Sequence, residues 1–381
     1  MKTRDAHAEV AVVGAGPVGA LLALRLAREG RQVAVLEARA RHGVPRDARA
    51  LALSSASLAM LEDVCPLPPG AVTAIDRVHV SQQGFAGRTR IDGEDLGLAH
   101  LGAVVDYPVL VAALEAALEE AGVAVQYGCR VEGIDTLSRY ARLRLEDGGT
   151  LTARLAVLAD GGPLAERLPG VVRRAHDYGQ CALIAGVKFE QPPAGVAFER
   201  FAAAGPFALL PHGDGFVLVW TRSPADAERL SADPLALAAE LQQAFGGRLG
   251  RVREVGGTAR FPLVLRQLNR VVSRRAVMIG NAAQTMHPVA AQGLNLGLRD
   301  AATLAGLLSG AADPGEAALL SRYAAARRVD SHAVVGFTHS LVRVFDGTGA
   351  PVSLARGTAM TLIDALPGLR RRFAGHLVFG V

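Results

Sequence analysis

Residues 8–19 read Ala-Glu-Val-Ala-Val-Val-Gly-Ala-Gly-Pro-Val-Gly. A β-rich run leads into Gly14, Gly16 and Gly19, and the spacing predicts an apolar helix from Val18 to Arg28. Glycines so placed allow a tight turn, close approach of backbone to a pyrophosphate, and close packing of helix on strand. Phosphates would sit at the helix start beside Pro17, where unpaired N–H groups and the helix dipole favour an anion. A second expected strand, Gln32 to Leu36, ends at Glu37. That carboxylate can accept both hydroxyls of a ribose and would repel a 2′-phosphate. Strand, helix, strand and acid in this order make a Rossmann-like nucleotide unit that fits either NAD or FAD.

Residues 279–300 decide between the two. They read Ile-Gly-Asn-Ala-Ala-Gln-Thr-Met-His-Pro-Val-Ala-Ala-Gln-Gly-Leu-Asn-Leu-Gly-Leu-Arg-Asp and follow an apolar strand, Val277 to Ile279. Gly280 allows close backbone approach. Asn281 can bond a polyol hydroxyl. Pro288 is a rigid wall with no N–H. The amides near Gly293, Leu294 and Asn295 open a helix, where unpaired donors favour negative charge. A flavin with its ribityl chain needs such a second docking site, so this stretch favours FAD. Between the two ends, the apolar strand Leu155 to Ala159 stops at Asp160-Gly161, and Arg49 precedes a helix capped by Ser54 or Ser55.

These pieces together resemble the class A flavin-dependent aromatic hydroxylases and, within them, the ubiquinone-biosynthesis hydroxylases. The resemblance covers nearly the whole chain. It rests on Gly14, Gly16 and Gly19, on Arg49-Ala-Leu-Ala-Leu-Ser54, and on Ala159-Asp160-Gly161 with Arg167. Asp177-Tyr-Gly-Gln180, Glu199-Arg-Phe201, Gly205-Pro206, Leu210-Pro211, Val219-Trp220 and the 280–300 block continue it. The string Gly280-Asn-Ala-Ala-Gln-Thr285 most resembles the branch that adds a hydroxyl at ring position 6. The chain departs from the family at Asn281 (commonly Asp), Ala291 (Gly), Leu164 (Ser) and Thr338-His339 (Thr-Asp).

The resemblance implies an α/β fold: a Rossmann-like FAD-binding domain of the p-hydroxybenzoate hydroxylase type, an inserted antiparallel-sheet α+β substrate domain, and C-terminal helices. The discontinuous FAD-binding domain is expected over 1–75, 97–175 and 270–349. Residues 76–96 and 176–269 are expected to form the substrate domain, and 350–381 two helices broken at Pro367. The implied activity is hydroxylation of a polyprenyl phenol, using noncovalent FAD, O2 and transient NAD(P)H, through a flavin hydroperoxide. Gly14, Gly16, Pro17, Gly19, Glu37, Arg49, Asp160, Gly161, Gly280 and Asn281 would hold FAD. Pro288, Gly293, Leu294 and Asn295 would surround its ring. Phe207, Leu209, Leu210, Trp220 and Ala290 are candidates for the substrate pocket. His287 and His212 lie near the site in sequence, but neither reads as a base.

Composition bounds the alternatives. Half of the 381 residues are hydrophobic, ample for a core. Three widely spaced cysteines suggest free thiols in a reducing compartment, and the ten histidines show no paired ligand spacing, so no metal is expected. A net charge of +5 with only 5% aromatics and no basic run interleaved with them argues against nucleic acid. No signal peptide or spanning segment fits, so a cytoplasmic protein is expected, peripheral to the inner face of a membrane if it meets one. Residues 353–379 combine Leu354, Met360, Leu362, Ile363, Leu366, Leu369 and Phe373 with Arg356, Arg370, Arg371 and Arg372. This basic amphipathic stretch is the best candidate for contact with a membrane surface or with other ubiquinone-biosynthesis proteins. Two other readings stay open. A flavin hydroxylase of a soluble aromatic acid would need an arginine for the carboxylate, for which Arg200 and Arg222 are available. A non-catalytic flavoprotein subunit of a biosynthetic complex would need no substrate chemistry at all.

Overall fold

The computed structural model describes residues 6–43, 49–84, 87–286, 292–330 and 350–379. Its first layer is a sheet whose parallel strands run in the order Ala276–Met278, Thr150–Leu158, Ala6–Val13, Val33–Glu37 and Ala124–Tyr127. The hairpin Val131–Thr136 and Ala141–Leu145 extends it antiparallel through Thr150–Leu158. Both faces of the central strand are covered, so it reads as a continuous apolar run. The two faces pack into separate cores, and most of the alanines of these strands fall on one of them. Val10, Val12, Val35, Leu155, Val157 and Val277 face the helices Pro17–Arg28, Tyr107–Glu120 and Gln292–Leu308. The smaller Ala11, Ala34, Ala153, Ala156 and Ala276 face the hairpin and the turn Pro163–Arg167.

The second sheet has eight strands in the order Gln284–Thr285, Val252–Leu268, Arg173–Phe189, Gly215–Arg222, Gly205–His212, Val196–Ala202, Arg77–Gln82 and Arg88–Asp92. Only the pairing of Val196–Ala202 with Arg77–Gln82 is parallel. One face packs on the helices Pro224–Ala232 and Pro234–Phe245 around Leu183, Phe207, Leu209, Phe216, Leu218 and Trp220. The other face looks toward the first layer.

A small third sheet, Ala50–Ser54 with Gly102–Asp106 and Val72–Ile75, lies between them. Residues 50–54 read in the sequence as a loop into a helix; in the structure they are a strand whose partner lies 50 residues downstream. The helix that follows, Ser55–Glu62, is capped by Ser54, whose Oγ accepts from the Ser57 amide at 3.2 Å. The chain ends in helices Ala350–Ala365 and Pro367–Phe379, divided at Pro367 as expected.

The helix over 317–330 locks the two ends of the first layer together. Its Arg327 pairs with the buried Asp300 of the helix Gln292–Leu308 and, at 2.6 Å, with Asp330. Arg299 reaches the same Asp330 at 3.0 Å. Two cations and two anions thus balance in a site that is almost closed to water. Asp300 directs its second oxygen to the Gly280 amide at 2.9 Å, which fixes the turn after the strand Ala276–Met278. Removing one partner of a buried pair strands the other charge, at about 3–5 kcal/mol. Arg327→Met should therefore lower unfolding stability by about that amount in a urea titration. A change below about 1 kcal/mol would show that the network holds nothing in place.

Candidate cofactor and substrate site

The loops that follow the parallel strands meet at the carboxyl edge of the first sheet, where nucleotide sites form in such folds. Gly14, at φ +102°, sits so close to the chain that an added Cβ would lie 2.7 Å from the Ala159 carbonyl oxygen. A Cβ on Gly19 would lie 2.0 Å from the Gly14 oxygen, so the third glycine lets the helix close on the turn. Gly16 differs: a Cβ there would meet only the Tyr107 hydroxyl, at 3.8 Å. The protein itself leaves that side open, as a pyrophosphate lying against the backbone requires. Glu37 lies against this turn. Its Oε2 accepts from the Ala15 amide at 2.7 Å and its Oε1 from the Arg39 amide at 2.8 Å. The carboxylate is thus held against the glycine turn with lone pairs to spare for hydroxyls.

The remaining cofactor candidates converge on the same edge. Gly161, at φ +65°, packs its α-carbon against Asn281, whose Cβ would be 3.4 Å from a Cβ there. Gly280, at φ +58°, and Gly297 both lie against Val18 of the first helix. Arg49 stacks over the Phe261 ring at 4.4 Å, and its carbonyl accepts from the Tyr107 amide at 2.9 Å. Arg49 therefore bridges the nucleotide layer and the second sheet.

At the start of the helix Gln292–Leu308, side chains and backbone have different roles. The Asn295 side chain accepts from the Ser54 amide at 2.9 Å and donates to the Ala52 carbonyl at 3.2 Å. It pins the strand Ala50–Ser54 rather than facing a ligand. Leu294 packs into the core beneath the helix. Only the first-turn amides are left to serve an anion, and no described residue lies within 4 Å of where a Gly293 Cβ would be. Pro288, Ala290, Ala291 and His287 lie outside the described residues.

Three substrate-pocket candidates need correction. Phe207, Leu209 and Trp220 are essentially fully buried on the helix-covered face of the second sheet. Trp220 donates its indole N–H to the Gly205 carbonyl at 3.2 Å. Strand alternation puts their neighbours on the opposite, first-layer face. One row there runs Ala259, Ile184, Val219, Ala208, Glu199, Val80. The next holds Phe261, Ala182 and Thr221, with Arg49 stacked on Phe261. Leu210, on the flanking side, does face this way and packs near Ala50 and Ala52.

Glu199 is the residue that sequence reading passes over. The sequence shows it only as part of the Glu-Arg-Phe string, although period two between Phe198 and Arg200 is the signal that turns it away from the core. Its side chain is half-buried, and among the described residues it has neither a hydrogen bond nor an ion pair. Burial pushes its carboxyl up to about 7. His212, by contrast, is occupied: its Nε2 lies 3.0 Å from Asp106.

The comparisons agree with this geometry. The family model described as FAD binding domain matches residues 7–338. Ubiquinone hydroxylase UbiL of Rhodospirillum rubrum is 35% identical over an alignment spanning 98% of this chain and 90% of that protein. The 3-demethoxyubiquinol 3-hydroxylase of Escherichia coli is 31% identical, with 96% of each chain covered. In fold, p-nitrophenol 4-monooxygenase PnpA of Pseudomonas putida superposes with a TM-score of 0.81 over 99% of both chains, at 17% identity. The chain is a flavoprotein monooxygenase of the FAD-binding-domain family. Within that family it belongs to the ubiquinone-biosynthesis hydroxylases, with FAD as its cofactor and NAD(P)H as co-substrate.

The glycine geometry separates binding from folding. Gly16→Val meets no close neighbour, so the cofactor-free protein should keep its stability within about 1 kcal/mol. FAD affinity should nevertheless fall at least about 100-fold, because the backbone can no longer approach the pyrophosphate. Gly19→Val should instead destabilise the fold itself. FAD titration of a folded Gly16→Val variant with unchanged affinity would remove the pyrophosphate from this turn.

Proposed function

We propose that this enzyme hydroxylates the aromatic ring of a polyprenyl phenol in ubiquinone biosynthesis, consuming NAD(P)H and O2. The observation that carries the reading is the make-up of the face opposed to the cofactor loops. Ile184, Val219, Ala208 and Leu210 make it apolar, and Glu199 gives it one carboxyl. The two arginines that an aromatic-acid hydroxylase would need are turned away. Arg200 donates to the Ala244 carbonyl at 2.8 Å, and Arg222 pairs with Glu240 at 3.0 Å; both lie on the helix-covered side. An uncharged phenol with an apolar tail suits such a face better than a carboxylate does.

Bound FAD supplies the oxygen chemistry; the chain binds, orients and handles the proton. Gly14, Gly16, Pro17, Gly19 and Glu37 would hold the adenosine diphosphate end, with Arg49, Asp160, Gly161, Gly280 and Asn281 around the ribityl chain. The amides of Gly293, Leu294 and Asn295 would stabilise negative charge on the ring edge. Apolar residues of the opposed sheet would keep water out. Glu199 would accept the phenol proton at its carboxylate. A phenol loses that proton near pH 10, and a base near 7 matches it better than an ordinary glutamate does.

A lipid-tailed substrate also calls for a surface that meets lipid, because no helix among the described residues is long and apolar enough to cross a membrane. The C-terminal helices would provide it, although not with every residue expected. Met360 and Phe373 pack inward. Arg370 is committed to Asp95 at 2.7 Å. Leu362, Leu366 and Leu369 remain exposed, as do Arg371 and Arg372.

Purified holoenzyme should convert a short-prenyl phenol to a product heavier by one oxygen, with NAD(P)H oxidation stimulated by that phenol and not by aromatic acids. Stimulation by an aromatic acid, or oxidation with no oxygenated product, would refute the reading. Product structure by NMR also fixes the ring position. For Glu199, kcat/KM should rise with pH through about 7. Glu199→Gln should lose that limb and about 10²–10⁴ in rate while still binding FAD. Stability should move the other way. The folded carboxyl titrates at about 7 and an unfolded one near 4.5, so the folded chain holds the extra proton between them. Stability therefore falls as pH rises through that window, and Glu199→Gln should be more stable than the native chain at about pH 8 but equal to it at about pH 4. A pH profile identical in both proteins would remove Glu199 from the proton path.

A further inference from the structure

The helix-covered face of the second sheet continues past the helix Pro234–Phe245 to the sheet edge, and there it becomes basic. Register places Arg77 opposite Asp92, His79 opposite Arg90 and Ser81 opposite Arg88, with Phe198 beside His79 and Arg200 beside Ser81. A cleft of ≈ 590 Å³ lies over this ladder, walled by Arg248, Asp364 and Arg370. A second of ≈ 380 Å³ shares His79, Arg88 and Arg248 with it and reaches Arg200. The acids of the cleft have partners: Asp364 accepts from the Arg90 amide at 2.9 Å. Arg77 and Arg90 share Asp92, and Arg370 has Asp95. Among the described residues no carboxylate pairs with Arg88, Arg200 or Arg248.

These three cations therefore face one another across an imidazole. Arg248 Nη1 lies 3.0 Å from His79 Nε2. Burial and the neighbouring Arg248 hold the His79 ring below its ordinary pKa, and the same two causes lower that of Arg200. Arg200 satisfies itself only on neutral oxygens, the Ala244 carbonyl and the Ser81 hydroxyl. Like charges crowded in a partly dry cleft are relieved by a bound anion, and arginine forks match phosphate oxygens.

We propose that this cleft binds the phosphodiester headgroup of an anionic membrane lipid. The occupant is argued from what borders the cleft. Thr361 and Asp364 line it from the helix Ala350–Ala365. On the same helix and the next, Leu362 follows the cleft-lining Thr361 and Leu369 precedes the cleft-lining Arg370; with Leu366 they are exposed by 51%, 44% and 51%. Exposed leucines on the two helices that wall a cation-lined cleft match a lipid, with its phosphate in the cleft and the leucines turned to the acyl region. A nicotinamide nucleotide would gain nothing from the leucines. Held here, it would also be separated by the whole sheet from the face that carries Glu199. The inference rests on the reading of a lipid-tailed substrate met at a membrane surface.

The test uses FAD-loaded full-length protein and dihexanoyl phosphatidylglycerol below its micelle concentration, followed by calorimetry. Saturable one-to-one binding is expected, weakened about tenfold or more in Arg88→Gln/Arg248→Gln. The control Arg139→Gln/Arg274→Gln removes equal charge at exposed positions of the first layer, outside the cleft, and should bind the soluble lipid as the native chain does. Equal loss in both variants means diffuse attraction and overturns the site. So does unchanged binding in the cleft variant, or tighter binding of ADP or inorganic phosphate than of the lipid. Co-sedimentation with phosphatidylcholine vesicles, with and without phosphatidylglycerol, separates the two readings. Lipid binding in the cleft without capture by anionic vesicles keeps the headgroup site and rejects the membrane-surface reading. Thermal melts and FAD content of each variant exclude misfolding as the cause.

Discussion

Backbone packed directly on backbone is the constraint from which the rest of this structure follows. Gly14 lies against the Ala159 carbonyl, Gly19 against the Gly14 oxygen and Gly297 against the Gly280 α-carbon, with the Val18 side chain filling the space beside the last two. With no side chain to act as a spacer, the turns after three parallel strands can occupy only one relative arrangement. Density of this kind transmits displacement instead of absorbing it. The buried Asp300 extends the constraint by gripping the Gly280 amide, and its own charge is answered by Arg327. A helix near the end of the chain thereby sets the position of a turn that faces the first glycine loop. Asn295 carries the same alignment outward to the strand Ala50–Ser54, and through Arg49 on Phe261 to the second sheet.

That second sheet does two jobs by alternation alone. Phe198, Phe207, Leu209 and Trp220 are used for packing against two helices. The residues between them, Glu199, Ala208 and Val219, look toward the cofactor layer. Most of the aromatic bulk is thus on the packed side, and the row around Glu199 on the other side is small and aliphatic, with Phe261 one row away under Arg49. The same division explains where the arginines went. Arg200 and Arg222 are on the packed side, where carbonyl and carboxylate oxygens can receive them. What remains around Glu199 on the other side is Ala208, Val219 and Val80, an aliphatic setting that suits a phenol.

How much of this the sequence shows depends on the range of the interaction concerned. The glycine turn and Glu37 are legible because their geometry is local: strand, turn, helix and acid occupy one unbroken stretch. The block at 280–300 reads as a second docking site only in company with the first: by itself it is equally an ordinary helix entry after a strand. What the sequence hides is handedness of faces. Phe207, Leu209 and Trp220 look like pocket walls from their hydrophobicity, yet period two says only that they share a face, not which one. The strand Ala50–Ser54 is hidden for a related reason: it is short, and its ladder partner, Gly102–Asp106, arrives 50 residues later. Asn295 carries the right atoms for a ligand, but both are used by Ser54 and Ala52, a fact that only tertiary contact reveals.

Glu199 shows what the arrangement costs. A carboxyl desolvated without a partner is unfavourable in its charged form, and the folded chain bears that penalty at neutral pH. Pairing it with a cation would remove the penalty and would also drop its pKa to a value useless for receiving a phenolic proton. The protein instead places its compensated charges elsewhere. Asp300, Arg327, Asp330 and Arg299 form a balanced buried set behind the cofactor turns, where rigidity matters and titration does not. Glu199 differs from that set: among the described residues it has neither a hydrogen bond nor an ion pair, and it lies on the face turned toward the cofactor layer. Strain that persists at such a position, while its surroundings are over-determined, is the physical mark of a site kept for function rather than for stability.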